Sequence, residues 1–360
     1  MTGRHQTYSL AVRQLSTEGK ETMKTRRSRR RGQLLGLSAA LAVSLAACSS
    51  SGGAQEEEPA AGGAAAGGGV DTERFTVAMV THAPPGDAFW DKIRGGAEDA
   101  AGALNIELNY SGLQQGQGGP EQATLVQNNI DQGVDGLAVT LATPDAVGPV
   151  AQAATDAGIP TVAFNAGLDQ YKNYGVLMYF GSDETLAGQA VGERLTELGA
   201  GKAVCVIQGQ GQVQLEARCA GVKATFPNTE NLQVQGTDSA SVRQTIGAKL
   251  QQDSEITYIV TLGAQFASIA NDAKADAGSD AQVATFDLDA EVAQAIADGN
   301  ILFSVDQQPY VQGFMAVQSL WLNLTNGNDL GGGEAVLTGP SFVDTENIDV
   351  ILPYAQQGTR

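Results

Sequence analysis

The stretch LAVTLATPDAVGPVAQAATDAGIPTVAFN, residues 137–165, decides the fold. Leu137–Leu141 is a short β-rich run. Val147–Ala157 carries a helical pattern, with Gly158 at its C-terminal cap and Pro160 just beyond, where the helix cannot continue. Thr161–Phe164 is β-rich again and ends at the polar Asn165. Strand, helix and strand in that order form a right-handed βαβ unit, whose two strands lie parallel beneath the helix.

The same alternation runs outward in both directions. Upstream, strands are expected at Phe75–Val80 and Ile106–Tyr110, and helices at Phe89–Leu104 and Glu121–Gln132. The pattern restarts after Gly175 with strand Val176–Phe180, helix Thr185–Leu198, strand Ala203–Gln208 and helix Leu215–Phe226. Strands follow at Leu232–Gln235, Tyr258–Thr261, Val283–Phe286 and Leu302–Val305, separated by helices at Val242–Gln252, Phe266–Lys274 and Glu291–Ala297 and closed by one at Val311–Leu324. Ten or more strands are too many for one comfortable sheet of this kind. The expected fold class is therefore α/β, with two doubly wound parallel-sheet lobes.

Ligands of such sheets bind beyond the carboxyl ends of the strands, so the residues that follow each strand matter most. The first strand leads to His82 and then to Asp87, Phe89 and Trp90. Others lead to Asn165, to a Gly/Gln-rich loop followed by Arg218, to Asp287, and to Asp306-Gln307. Hydrogen-bonding groups and aromatics arriving one per loop suit a small polar ligand with apolar faces. Each has a plainer reading: Phe89 and Trp90 as core, Arg218 as a surface helix residue, Asn165 as a turn, Asp287 as a helix cap. Their shared position at strand ends favours the site.

The N-terminal end reads as an address. A basic cluster, Lys24 to Arg31, precedes an apolar run from Leu34 to Leu45, too short for a comfortable membrane span. The run closes on Leu45-Ala46-Ala47-Cys48, which resembles the lipobox of bacterial lipoproteins. Residues 1–47 are then a signal peptide, with Met23 a candidate start, and Cys48 carries lipid. Residues 48–73, rich in Ser, Gly, Ala and Glu, form a flexible tether. The expected localisation is extracytoplasmic and membrane-anchored.

The full chain of 360 residues has a formal net charge of −19. From Cys48 onward, 12 basic residues face 38 acidic ones, a net of −26. Such a surface repels phosphates and excludes nucleic acid as a partner. Two cysteines remain, Cys205 on a strand and Cys219 on the helix expected to pack against it. They are either a disulfide, the stronger reading for an exported chain, or two buried thiols. Catalysis has little support. His82 is the only histidine after the leader, no zinc-ligand spacing exists, and Gly209-Gln210-Gly211-Gln212-Val213-Gln214 lacks the third glycine of a dinucleotide loop. No metal or cofactor is expected.

At these positions the chain resembles the type I periplasmic sugar-binding proteins, relatives of ribose- and galactose-binding proteins. The resemblance covers about Phe75 to Tyr354 and rests on six places. Gly86-Asp87-Ala88-Phe89-Trp90 followed by Gly95-Gly96-Ala97-Glu98 looks like the family's polar–aromatic turn, whose aromatics sandwich the sugar ring. Asp131 to Gly136 is a helix end feeding a central strand. Gly158 to Asn165 ends where the family places an Asp or Asn on sugar hydroxyls. Arg218 before Cys219-Ala220-Gly221, Asp287 in Thr285-Phe286-Asp287, and Gln307 before Pro309 match its arginine, second-lobe aspartate and hinge-side glutamine. One departure is Leu262-Gly263-Ala264-Gln265, where the family often has an Asn-Asp pair, so a side-chain contact is expected to be lost there.

The resemblance implies three crossings between the lobes, near Gly181, Gln308 and Thr345, and closure by hinge bending. The lobes would then comprise 74–181 plus 309–344 and 182–308 plus 345–360. It implies a binding protein, not an enzyme, that captures a monosaccharide or cyclic polyol for an ABC permease and works as a monomer. Phe89 and Trp90 would cover the ring's apolar face. Asp87, Asn165, Arg218, Asp287 and Gln307 would saturate its hydroxyl rim, with His82 an added contact. Arg218 would find its charge partner in Asp87 or Asp287. The alternatives are a sensory co-receptor for a sugar-like signal and an exported glycoside hydrolase. A LacI-type regulator shares the fold but would need a DNA-binding headpiece where this chain has a signal and tether.

Overall fold

A computed structural model describes residues 70–84, 86–114 and 116–360. The signal, Met23, Cys48 and residues 48–69 of the expected tether lie outside the described residues.

In the quoted stretch, β3 (Gly136–Val139) and β4 (Thr161–Phe164) flank α3 (Pro144–Asp156). Pro144 opens α3, where a missing N–H does no harm. Gly158 sits at φ 83°, a left-handed value that glycine adopts without strain and that turns the chain back toward the sheet. Before these come β1 (Phe75–Val80), α1 (Ala88–Ala103), β2 (Ile106–Ser111) and α2 (Gly119–Asp131), and after them β5 (Tyr179–Ser182). The second half holds α4 (Glu184–Leu198), β6 (Lys202–Ile207), α5 (Val213–Thr225), β7 (Thr229–Gln233) and α6 (Ser239–Gln252). It continues with β8 (Ile256–Thr261), α7 (Ala264–Ala277), β9 (Gln282–Phe286), α8 (Ala290–Ala297) and β10 (Phe303–Asp306). The chain then gives α9 (Pro309–Asn326), β11 (Val336–Gly339), β12 (Ser341–Asp344) and α10 (Ile348–Gln356).

The strands form two six-stranded sheets, ordered β11-β5-β4-β3-β1-β2 and β12-β10-β9-β8-β6-β7. All pairings in the first are parallel. In the second only the β10–β12 pair is antiparallel. Both sheets are doubly wound, reversing between β1 and β3 in one and between β6 and β8 in the other.

Strand residues feed two cores per lobe. Val77 and Met79 pack with α1 and α9, whereas Ala78 and Val80 pack with α2 and α3. In the second lobe Val204 and Val206 face α6 and α7, and Ala203, Cys205 and Ile207 face α4 and α5. Sheets covered on both faces require strands that are apolar throughout, which is why these runs read as continuous rather than alternating. Cys205 on β6 is disulfide-bonded to Cys219 on α5, with their Cα atoms 5.8 Å apart.

The chain passes between sheets after β5, after β10 and between β11 and β12. The third passage differs from the expectation of Thr345. Ser341–Asp344, expected in the first lobe, pairs antiparallel with β10 in the second sheet, Phe303 opposite Asp344 and Asp306 opposite Ser341. The break falls at Gly339-Pro340. A proline cannot donate to a ladder, so it ends one sheet's pairing before the other's begins. At the second passage Gln308 adopts φ 55°, and its side-chain Nε2 donates to the Thr338 carbonyl at 2.8 Å, tying two connections together.

Candidate binding site

The carboxyl ends of both sheets meet at a cavity of about 330 Å³, within the usual range for small-molecule sites. His82, Asp87, Phe89, Trp90, Asn165, Arg218, Asp287 and Gln307 all border it. Asn165 follows β4 and Asp287 follows β9, and the two hold matching left-handed backbones with φ 63° and 65°. Asn and Asp tolerate this region better than other L-residues because their short polar side chains can hydrogen-bond locally. The kink ends each strand and sets a polar side chain in the cleft.

A hydrogen-bonded chain crosses the cleft. Asn165 Nδ2 donates to Gln307 Oε1 at 3.2 Å, and Gln307 Nε2 donates to Asp287 Oδ1 at 2.6 Å. Gln312 on α9 braces Gln307, its Nε2 donating to both the carbonyl and Oε1 at 3.0 Å. Asp287 is 8 % exposed, and burial pushes its pKa up to about 6 against the pull of Arg218 and the Gln307 bond.

Arg218 is only 3 % exposed, and its main partner is a residue the sequence reading passed over. Nε and Nη2 grip the two carboxylate oxygens of Glu184 at 2.6 and 2.9 Å, a bidentate pair from the first turn of α4. Nη1 donates to the Leu262 carbonyl at 3.1 Å and lies 3.9 Å from Asp287 Oδ2. The guanidinium also stacks over Phe286, 4.7 Å from the ring centre. Burial works against its charge, but the attraction of Glu184 and Asp287 outweighs it and raises the pKa. Of the two expected charge partners, Asp287 does pair with Arg218, though at a longer distance than Glu184, whereas Asp87 instead caps α1 by accepting from the Phe89 N–H at 2.9 Å. The cap of α8 is Asp289, which accepts from the Val292 N–H at 2.7 Å and leaves Asp287 free of that task.

Trp90 packs edge-on against both His82 and Phe89, at centroid distances of 4.8 and 5.3 Å. Gln214 Nε2, a donor, lies 3.3 Å from His82 Nε2, so that nitrogen accepts and Nδ1 carries the proton toward Thr140 Oγ1 at 2.9 Å. Burial lowers the His82 pKa to about 4 and keeps the ring neutral. The His82–Gln214 contact joins the lobes, as does the Val213 N–H donating to the Ala142 carbonyl at 3.2 Å.

A family profile described as "Periplasmic binding protein domain" matches residues 77–329. The chain belongs to the periplasmic binding protein family. It is a type I sugar-binding member of the kind that serves ABC transporters, a group of transport proteins and not enzymes that works outside the cytoplasm. A carbohydrate transporter from Acidothermus cellulolyticus, solved in complex with myo-inositol, is 51 % identical, covers 80 % of this chain and all of its own, and superposes with a TM-score of 0.78. A solute-binding protein from Burkholderia graminis, solved with D-arabinose, is 23 % identical over 76 % of this chain and 96 % of its own, TM-score 0.66, a likeness of fold. The xylose/arabinose-binding protein XylF of Sulfolobus acidocaldarius is 24 % identical over 77 % of this chain and 72 % of its own.

Several residues of this binding protein's cavity escaped the sequence reading. Lys92, Gln208, Gln214 and Phe266 border it. Phe266, in the first turn of α7, brings an aromatic from the second lobe to a cleft whose other aromatics, Phe89 and Trp90, belong to the first. The loop expected to lose its side-chain contact instead lends Gln265 to the wall. Gln208 Oε1 and Gln214 Oε1 have no hydrogen-bond partner among the described residues. A signal for Lys92 existed: it stands four residues before Gly96 and eight before Ala100, small residues on the same helix face.

Proposed function

We propose that this binding protein captures a neutral cyclic polyol of the inositol class, or failing that a monosaccharide ring, and delivers it to an ABC permease. The observation that carries the reading is the lobe-spanning chain Asn165–Gln307–Asp287 beside Arg218, edging a cavity with aromatic walls from both lobes. A ring with an apolar face and a rim of hydroxyls satisfies both kinds of wall. Its hydroxyls donate to the Asp287 carboxylate at the cavity wall. Because Glu184 already neutralises Arg218, the remaining charged groups at the cavity are Lys92 against Asp87, Asp287 and Asp289, an acidic surplus that disfavours anionic ligands. The 51 % identity to a protein solved with myo-inositol supports a polyol over a pentose.

Capture proceeds by hinge closure about the three connections, with Asp87, Phe89, Trp90, Asn165 and His82 contributed by one lobe and Arg218 and Asp287 by the other. Gln307 sits at the hinge. The lobes are 74–181 with 309–340 and 182–308 with 341–360. Lipid on Cys48 holds the receptor near its permease, and residues 48–73 leave the lobes free to move. Thermal denaturation of the full chain with inositols, hexoses and pentoses tests the ligand class. A ligand present at a hundred times its Kd stabilises by about 2.7 kcal/mol, a readily measured rise in melting temperature. A panel without any such rise contradicts the reading.

A further inference from the structure

Lys92 is a buried cation to which the binding scheme above gives no ligand contact. It lies in the first turns of α1, in the first lobe, and is 5 % exposed. Its Nζ donates to the Leu288 carbonyl at 2.9 Å, in the loop after β9 of the second lobe, so this bond exists only when the lobes are together. An ammonium has three donors. One is on Leu288, and among the described residues no carboxylate forms an ion pair with Nζ. Asp289, Asp287, Asp306 and Asp87 attract it from a greater distance, yet burial outweighs their pull and lowers its pKa. Lys92 also borders the cavity.

We propose that Lys92 makes closure of the cleft conditional on an oxygen-rich ligand. Closing the lobes strips water from the ammonium and returns one carbonyl for it. The other two donors have no partner among the described residues, and a buried charge so poorly paired disfavours the closed state. Hydroxyl oxygens of a bound polyol accept from those donors and remove the penalty. Open, Lys92 is hydrated; closed and loaded, it is satisfied; closed and empty, it is neither. The residue therefore widens the difference between loaded and empty receptor, which is what a permease must read. The ligand half of this scheme rests on the polyol reading above; the empty-state half does not.

The sign of the effect separates this role from simple packing. In Lys92→Met the penalty on the empty closed state is gone. Small-angle X-ray scattering of the full chain without ligand is expected to give a smaller radius of gyration than wild type. Saturating myo-inositol is expected to contract the variant by less than half as much as wild type. Lys92→Gln, also neutral, is the second variant should Lys92→Met not fold, and Lys223→Met, an exposed charge on α5, is expected to behave as wild type. A ligand-free variant as extended as wild type, or more so, overturns the proposal. If no sugar or polyol contracts wild type, the polyol reading falls, while the ligand-free comparison still decides the role of Lys92.

Discussion

Glu184 holds the charge balance of the cleft. It is 6 % exposed and gives both carboxylate oxygens to Arg218, itself nearly without solvent. Glu184→Gln leaves a buried guanidinium whose remaining carboxylate neighbour stands at 3.9 Å. Breaking a buried pair in this way costs about 3–5 kcal/mol, and urea denaturation is expected to show a loss of that size. His82 predicts a pH dependence of known sign. Its folded pKa is about 4 against an ordinary 6.5, so the unfolded chain binds the proton first. Its contribution is fully present above pH 6.5 and is lost as pH falls toward 4. His82→Gln is therefore expected to flatten the fall in melting temperature across that window. Of these residues the strand-end reading found His82, Arg218 and Asp287 because a polar group after an apolar run marks a sheet's carboxyl edge. It passed over Glu184 because an acid in the first turn of a helix is ordinary there, where it complements the helix dipole. Nothing local reveals that its partner lies 34 residues on.

At the scale of elements, α1 and α9 pack through glycines. A Cβ on Gly313 would run into the Ile93 carbonyl, and one on Gly96 into the Tyr310 carbonyl. Gly313→Ala gains helix propensity but forces the two backbones apart. The clash is expected to dominate, with a net loss of about 1–3 kcal/mol in chemical denaturation. This pair matters to function because α1 carries Phe89, Trp90 and Lys92 into the cleft. Most elements were legible because the inner strands are covered on both faces and so read as unbroken apolar runs. β11, β12 and α10 were not. The segment from Gly331 to Pro340 is interrupted by glycines, a proline and a change of sheet, and two four-residue strands leave too short a pattern for periodicity. The antiparallel pairing of β12 with β10 is a tertiary fact that no window of sequence contains.

At the scale of the whole molecule, two lobes border one cavity, and under the proposed lipidation Cys48 would fix where that site works. Cys48→Ser is expected to move the protein from the membrane fraction to the soluble fraction of cells without changing ligand affinity, as fractionation followed by a binding assay would show. The acidic surface of the chain from Cys48 onward gives it no attraction to anionic lipid, so nothing but the lipid is expected to retain it. The central claim is that a neutral cyclic polyol is held between the lobes against Asp287. Isothermal titration of the full chain with myo-inositol, beside Asp287→Asn, tests it most directly. The account predicts saturable binding by wild type and an affinity about tenfold or more weaker in the variant, the worth of a hydrogen bond to a charged acceptor. Wild type that takes up neither myo-inositol nor any hexose or pentose, or a variant that binds as tightly as wild type, would contradict it.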